Sequence, residues 1–201
     1  MRKLFKFSAD YKENSFPDLI YSENLDESIA RWARYIAENS STSEFYAELS
    51  STVNKRNDMK MEKVAGAANF YQLTFKSTID TRKVFIEEID ITPDFIANLK
   101  YLSTEDGGRR GFANIGYRPL VKFPFSKYYT SGEQIFSDRE KVFPGETIKA
   151  QIRMVDKVSY KGCLEVGMEF EFCESPTMPV GKGEILEIHN DELKKPAADI
   201  L

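Results

Sequence analysis

Glu105-Asp106-Gly107-Gly108-Arg109-Arg110, followed by Gly116-Tyr117-Arg118-Pro119, is the stretch on which the reading of the fold turns. Two adjacent glycines let the chain reverse through positive φ values, and Pro119 forces the residue before it into an extended conformation. The pattern is a strand, a tight connection and a second strand. The stretch also opens a basic segment. Between Gly107 and Gly132 lie Arg109, Arg110, Arg118, Lys122 and Lys127 and no acidic residue, in a 201-residue chain whose net charge is −4.

Outward from this stretch, residues 92 to 188 read as short strand-like runs. Turn signals separate them at Asp106-Gly107-Gly108, Ser131-Gly132, Pro144-Gly145, Lys161-Gly162, Ser175-Pro176 and Gly181-Lys182-Gly183. Six such breaks in fewer than 90 residues predict a β-barrel or sandwich. Within the strand predicted over 166–173, Met168, Phe170 and Phe172 share one face and Glu169 and Glu171 the other, the alternation of a barrel wall. The tail after Ile188, with Pro196 and mixed charges, is expected to be frayed or loosely docked.

The first half has a different texture. No glycine precedes Gly66, and the remaining 136 residues hold all eleven. Asn24-Leu25-Asp26-Glu27 has the form of a capping box, and Leu25, Ile29, Trp32 and Ile36 then fall at helical spacing, predicting a helix over 25–38. Ser41 with Glu44 starts a second, with Phe45, Leu49 and Val53 on one face and an end near Asp58. Together they predict a helix hairpin, covered by strands over 4–7, 70–76 and 84–91, the last after a turn at Asp80-Thr81. Residues 1–90 are therefore expected to form a small α+β domain, residues 91–188 an all-β barrel, and 189–201 a tail.

The second half resembles the C-terminal, third domain of elongation factor Tu. The residues that carry the resemblance are Tyr101-Leu102, Glu105, Gly107-Gly108-Arg109, Gly116-Tyr117-Arg118-Pro119 with Phe123, and Pro144-Gly145-Glu146. Further on come Gly167-Met168-Glu169-Phe170-Glu171-Phe172 and Val180-Gly181-Lys182-Gly183, in the family's order over about 97 residues. The resemblance implies a closed six-stranded barrel that packs on protein partners of the translation machinery and helps hold the backbone of aminoacyl-tRNA. The family's tRNA-contacting Gly-Gly-Arg-His turn corresponds to Gly107, Gly108, Arg109 and Arg110, with Arg110 in place of the histidine. The family's other tRNA-facing turn has become Glu174-Ser175-Pro176-Thr177-Met178-Pro179, without its arginine. From residue 165 to residue 187 six acids stand against Lys182 alone, a composition that repels phosphates.

Catalytic hardware is sparse. A phosphate-binding loop is missing, and Asn54-Lys55-Arg56-Asn57 matches a guanine-reading element only superficially. His189, the only histidine, is expected to be a solvated tail residue rather than a base. Glu87-Glu88 and Glu105-Asp106 are neighbours on extended chain, so their carboxylates diverge. Cys163 and Cys173 are too far apart along a strand to bridge and read as reduced thiols, and with one histidine they make no zinc site. Neither cofactor nor metal is expected. No run of about 18 apolar residues reads as a membrane span, and Met1-Arg2-Lys3-Leu4-Phe5-Lys6 lacks the apolar core of a signal peptide, so the expectation is a cytoplasmic protein without a membrane partner.

The basic segment allows three readings. One is a protein interface, since arginine and tyrosine are enriched in hot spots. Another is RNA contact, with Arg109, Arg110, Arg118 and Lys122 on phosphates and Tyr128 or Tyr129 as stacking platforms. In the third, Tyr117, Phe123 and Phe125 fill the barrel and the cations solvate its outside. The reading that follows is a non-catalytic binding protein with a protein partner, for which the resemblance suggests the translation machinery, bound through Arg109, Arg110, Arg118 and Lys122. RNA or tRNA binding at Arg109-Arg110, a decoy that presents an elongation-factor-like surface, and an enzyme with a site near Arg31, Trp32 or Glu62 are the alternatives.

Overall fold

In the computed structural model residues 2–9, 18–39, 59–76 and 81–196 are described. The chain divides into two units, Met1–Ile91 and Thr92–Leu201.

Asn24 starts helix α1 (Leu25–Glu38). Its side chain accepts the backbone N–H of Glu27 at 2.9 Å, and the Glu27 carboxylate reaches back to the N–H of Glu23 at 2.8 Å. That is capping-box logic with the return bond moved one residue upstream. The Glu23 N–H, and then Arg31 one turn on, hold the Glu27 carboxyl below its usual range. The helix buries Trp32 and Ile36 against Phe5, Phe7, Leu73, Val84 and Ile86. Trp32 stacks on Phe7 at 4.7 Å and 13°, and its Nε1–H donates to Asp18 at 2.8 Å, so the one polar atom of a fully buried ring is satisfied.

Those apolar residues line one face of an antiparallel five-stranded sheet made of β1 (Lys3–Ala9), β2 (Asp18–Ser22), β3 (Met59–Lys63), β4 (Phe70–Lys76) and β5 (Thr81–Ile89), in the order β2-β1-β5-β4-β3. The two strands absent from the sequence reading are the two edges, whose short and partly charged runs Asp18-Leu-Ile-Tyr-Ser and Met59-Lys-Met-Glu-Lys carry little periodic signal. Thr81 begins β5 rather than a turn. A single helix is described in this unit; the second predicted helix, 41–58, lies outside the described residues, as does Asp80.

In the second unit, β6 (Phe95–Tyr101), β7 (Ala113–Asn114), β8 (Leu120–Lys122), β9 (Thr130–Phe136), β10 (Lys141–Val142), β11 (Thr147–Met154), β12 (Glu169–Ser175) and β13 (Met178–Ile188) follow in turn. Six of them close a barrel in the order β11-β6-β13-β12-β8-β9, every pairing antiparallel, and β7 with β10 forms a small separate ribbon. Alternate residues fill the interior: Phe95, Ala97, Leu99 and Tyr101 from β6, Ile148, Ala150, Ile152 and Met154 from β11, Phe170 and Phe172 from β12. Phe95 meets Phe123 and Phe170 edge-on at 6.3 and 5.7 Å. Closure leaves these six strands no free edge.

Three expectations change here. Gly181-Lys182-Gly183 and Ser131-Gly132 are not turns but lie inside β13 and β9. Gly183 and Gly181 face Phe170 and Phe172 in register, and a Cβ would stand 2.2 and 2.3 Å from their ring tips, so glycine makes room for rings that cross the barrel wall. Phe125, taken as barrel filling, is about half exposed, whereas Phe123 is buried. The tail is docked through Lys195: Leu193 is fully buried, its carbonyl accepts the Leu164 N–H at 2.8 Å, and the Lys195 N–H donates to Leu164 at 2.7 Å. His189 is accordingly half-buried, 3.2 Å from Glu187, instead of solvated. Both cysteines are free thiols.

Candidate interaction surface at the ends of the barrel

Strand register gives the barrel two loop-bearing ends. Near the end of β6, the connection over residues 102–112, the β10–β11 turn at Pro144-Gly145 and the β12–β13 turn converge: Leu102 N–H donates to Val180 at 2.8 Å and Gly145 N–H to Leu102 at 3.1 Å. We call this the turn end. Near the start of β6 lie the β8–β9 loop (123–129), the loop after β11 (155–168) and the tail. This is the tail end.

Arg109 sits at the turn end because the two glycines before it do different work. Gly107 has φ +87°, while Gly108 brings its backbone so close to residues 102 and 103 that a Cβ would lie 2.4 Å from the Leu102 carbonyl. The Thr104 hydroxyl then holds the Arg109 carbonyl at 2.8 Å. The guanidinium lies over the Tyr117 ring, 4.5 Å from its centre, and pairs with the Glu174 carboxylate. Its remaining N–H groups point at the carbonyls of Gly111 and Phe112, at 3.4 and 3.3 Å. Tyr117 donates its hydroxyl to the same Glu174 oxygen at 3.0 Å. Burial pushes the Tyr117 phenol up to about 12, the bond to Glu174 pushes the same way and Arg109 opposes. Behind it Tyr101 donates to Gln134 inside the barrel, and burial raises its pKa further. Arg109 thus has structural partners and does more than solvate the outside of the barrel.

The other predicted cations lie elsewhere. Arg118 grips Glu133 on the outer wall, Nε at 3.1 Å and Nη2 at 2.7 Å, and Arg153 holds the other oxygen at 2.9 Å. Glu133 is buried and is the first acid after the acid-free run. Lys122, at the tail end of β8, lies over Tyr129 at 5.1 Å and lines a groove of about 310 Å³ with Phe123, Pro124, Phe170, Lys182 and two acids, Glu169 and Glu171. Arg110 is exposed and makes no ion pair or side-chain hydrogen bond among the described residues. The four cations therefore do not form one site: the basic segment climbs the barrel from one end to the other.

Beside Arg110 the turn end carries a groove of about 210 Å³, bordered by Gly107, Arg109, Gly111, Glu174, Met178 and Pro179. Phe112 and Phe143, both exposed, meet edge-on at 5.8 Å next to it, with Lys141 over Phe112 at 4.5 Å. The tail end differs. The four most exposed large apolar side chains among the described residues, Val158 (75%), Val155 (70%), Tyr128 (68%) and Val166 (63%), all lie there. Its central charge is Asp94, buried at 2%, which accepts from the Met154 N–H at 2.7 Å, the Asn190 amide at 2.9 Å and Lys157 at 2.9 Å.

The acids from 165 to 187 are more neutralised than their count implies. Glu165 pairs with Lys195, Glu171 with Lys182 and Glu174 with Arg109. Glu133, Glu174 and Asp94 are the residues that sequence reasoning missed, because cross-strand pairing with distant cations leaves no local signal. In the first unit Arg31 pairs with Glu27 and Glu62 with Lys60, while Trp32 is packed in the core, so those three residues do not converge. Among the described residues no cluster of three or more metal-ligating side chains occurs, and no helix is long and apolar enough to cross a membrane. No family model matches this chain and no curated protein matches it.

Proposed function

We propose that this chain is a non-catalytic binding protein that presents the turn end of its barrel to a protein partner. The observation that carries the reading is the composition of that end: Arg110, which has no ion pair among the described residues, and Met178 line a groove, and two exposed phenylalanines, Phe112 and Phe143, stand at the same end. Arginine, aromatic residues and methionine are the types enriched at interface cores, and a groove flanked by them is what an anchor side chain fills. The elongation-factor-like elements that run through the same turn make a component of the translation machinery the partner class we favour, an argument from fold kinship. RNA is the weaker reading, because Arg118 is committed to the buried Glu133 and Lys122 shares its groove with Glu169 and Glu171, so the cations do not present one continuous phosphate track.

The test compares the two ends in the full chain. Affinity capture from nuclease-treated lysate with wild type is set against Arg110→Glu with Phe112→Ala at the turn end and Val158→Asp at the tail end. A partner lost with the first variant and kept with the second is the expected result. A partner kept by the first variant would sink the assignment. Binding of tRNA that falls steeply with salt and vanishes in Arg110→Ala would replace it with the RNA reading.

A further inference from the structure

We infer that the groove at the turn end is a carboxylate-binding site whose own Glu174 occupies it as a placeholder, and that the partner docks by delivering an acidic side chain that takes Glu174's position on Arg109. This rests on the reading of the turn end as a protein-binding surface and adds the chemistry of what that surface receives.

Arg109 is built as a receptor. Tyr117 supports its plane from one side, the carbonyls of Gly111 and Phe112 fix its rotation, and the crowded Gly108 turn fixes its backbone. A guanidinium held in this way presents its donors in a set direction, the preorganisation that makes arginine the usual partner of a carboxylate. Tyr117 adds a hydroxyl aimed at the same acceptor. The acceptor comes from another strand: Glu174 stands near the end of β12, its side chain is 41% exposed, and it borders the groove together with Arg109. An ion pair this open gains little from its Coulomb attraction, so exchange for an external carboxylate is close to neutral and the surrounding contacts decide it. Those contacts favour the incomer. Arg110 in the same lining has no anion among the described residues, and Met178 and Pro179 offer apolar cover to the stem of a glutamate. The other acids of the turn are Asp106, turned back onto the Ser103 hydroxyl at 2.7 Å, and Glu105, which is exposed. The placeholder also confers selectivity, since a ligand without negative charge has nothing to offer Arg109 in exchange.

The probe is fluorescein-labelled hexaglutamate with an amidated C-terminus, so that its carboxylates are on side chains, followed by fluorescence polarisation against the full chain at low salt. Hexaglutamine with a free C-terminus tests a chain-terminal carboxylate as the source, and hexauridylate tests phosphate. Glu174→Gln, nearly isosteric, removes the placeholder charge and is expected to strengthen hexaglutamate binding about fivefold over wild type. Adding Arg109→Ala should abolish that gain, and Arg110→Ala should reduce it. If Glu174→Gln binds hexaglutamate no better than wild type, or if the gain persists without Arg109, the placeholder idea is wrong. An equal or larger gain for hexauridylate would make the site a phosphate site, and a gain confined to free-ended hexaglutamine would assign it to chain termini; both overturn the proposal as stated. Should Glu174→Gln fold poorly by thermal melting, Glu174→Ala takes its place with the same expected and overturning results. The probe requires no cellular partner, so this result stands or falls apart from the capture experiment.

Discussion

The same chemical unit, a carboxylate holding a cation and a neutral donor, occurs at both ends of one barrel and does opposite work. Asp94 at the tail end is buried and joins the start of β6 to the end of β11 and to the segment after β13 through four groups: the Met154 N–H, the Asn190 amide, Lys157, and its own carbonyl, which accepts the N–H groups of His189 and Asn190. Glu174 at the turn end is exposed and joins Arg109, in the connection after β6, to Tyr117, which follows β7. Burial decides the difference: in low dielectric a lost partner leaves charges that water cannot rescue, whereas near the surface water takes the partner's place.

The contrast is broken most readily by Asp94→Ala. It orphans the buried Met154 N–H and the Asn190 amide at once, while Lys157, 43% exposed, turns to water, and it is expected to cost about 3 kcal/mol, read as a shift of the denaturation midpoint of the barrel. Next comes Leu193→Ala, which empties the socket that docks the tail and should cost roughly 2–4 kcal/mol. Phe143→Ala at the turn end, where the ring is half exposed, should stay within about 1 kcal/mol. If Leu193→Ala proved as mild as Phe143→Ala, the tail would be an ornament rather than part of the barrel, and the tail end would lose its structural character.

Much of this barrel was legible because its devices are local. Gly107 before a tight connection, the alternation of Phe170 and Phe172 with Glu169 and Glu171, and Pro119 before β8 each act within a few residues. The glycines of β13 were misread for the same reason: Gly181 and Gly183 look like turn residues until the rings of β12 are known to lie across them. The site was less legible still. That Arg109 answers to Glu174, 65 positions away, and Arg118 to Glu133, is set by strand register, which leaves no mark in composition. A run of cations free of acids looked like one patch, and the path of the chain along the barrel wall distributes it over two ends.

The smallest effect is the sharpest test of what Glu174 does. Tyr117 in the folded protein ionises near 12, above the value of about 10 for an exposed phenol, chiefly because burial disfavours the anion and secondarily because Glu174 accepts its proton. A group whose pKa is raised by folding lends stability that is complete below the unfolded value and is lost as the pH climbs through the folded one, so the Tyr117 contribution should drain away between about 10 and 12. Glu174→Gln removes the negative charge and leaves the burial. Absorbance titration of the tyrosinate band should therefore show Tyr117 ionising earlier in that variant, still above 10, with stability at neutral pH changed by about 1 kcal/mol or less. An unchanged Tyr117 titration would mean that Glu174 does not reach the hydroxyl in solution, and the turn end would then differ from the tail end only in exposure, with no receptor for a carboxylate.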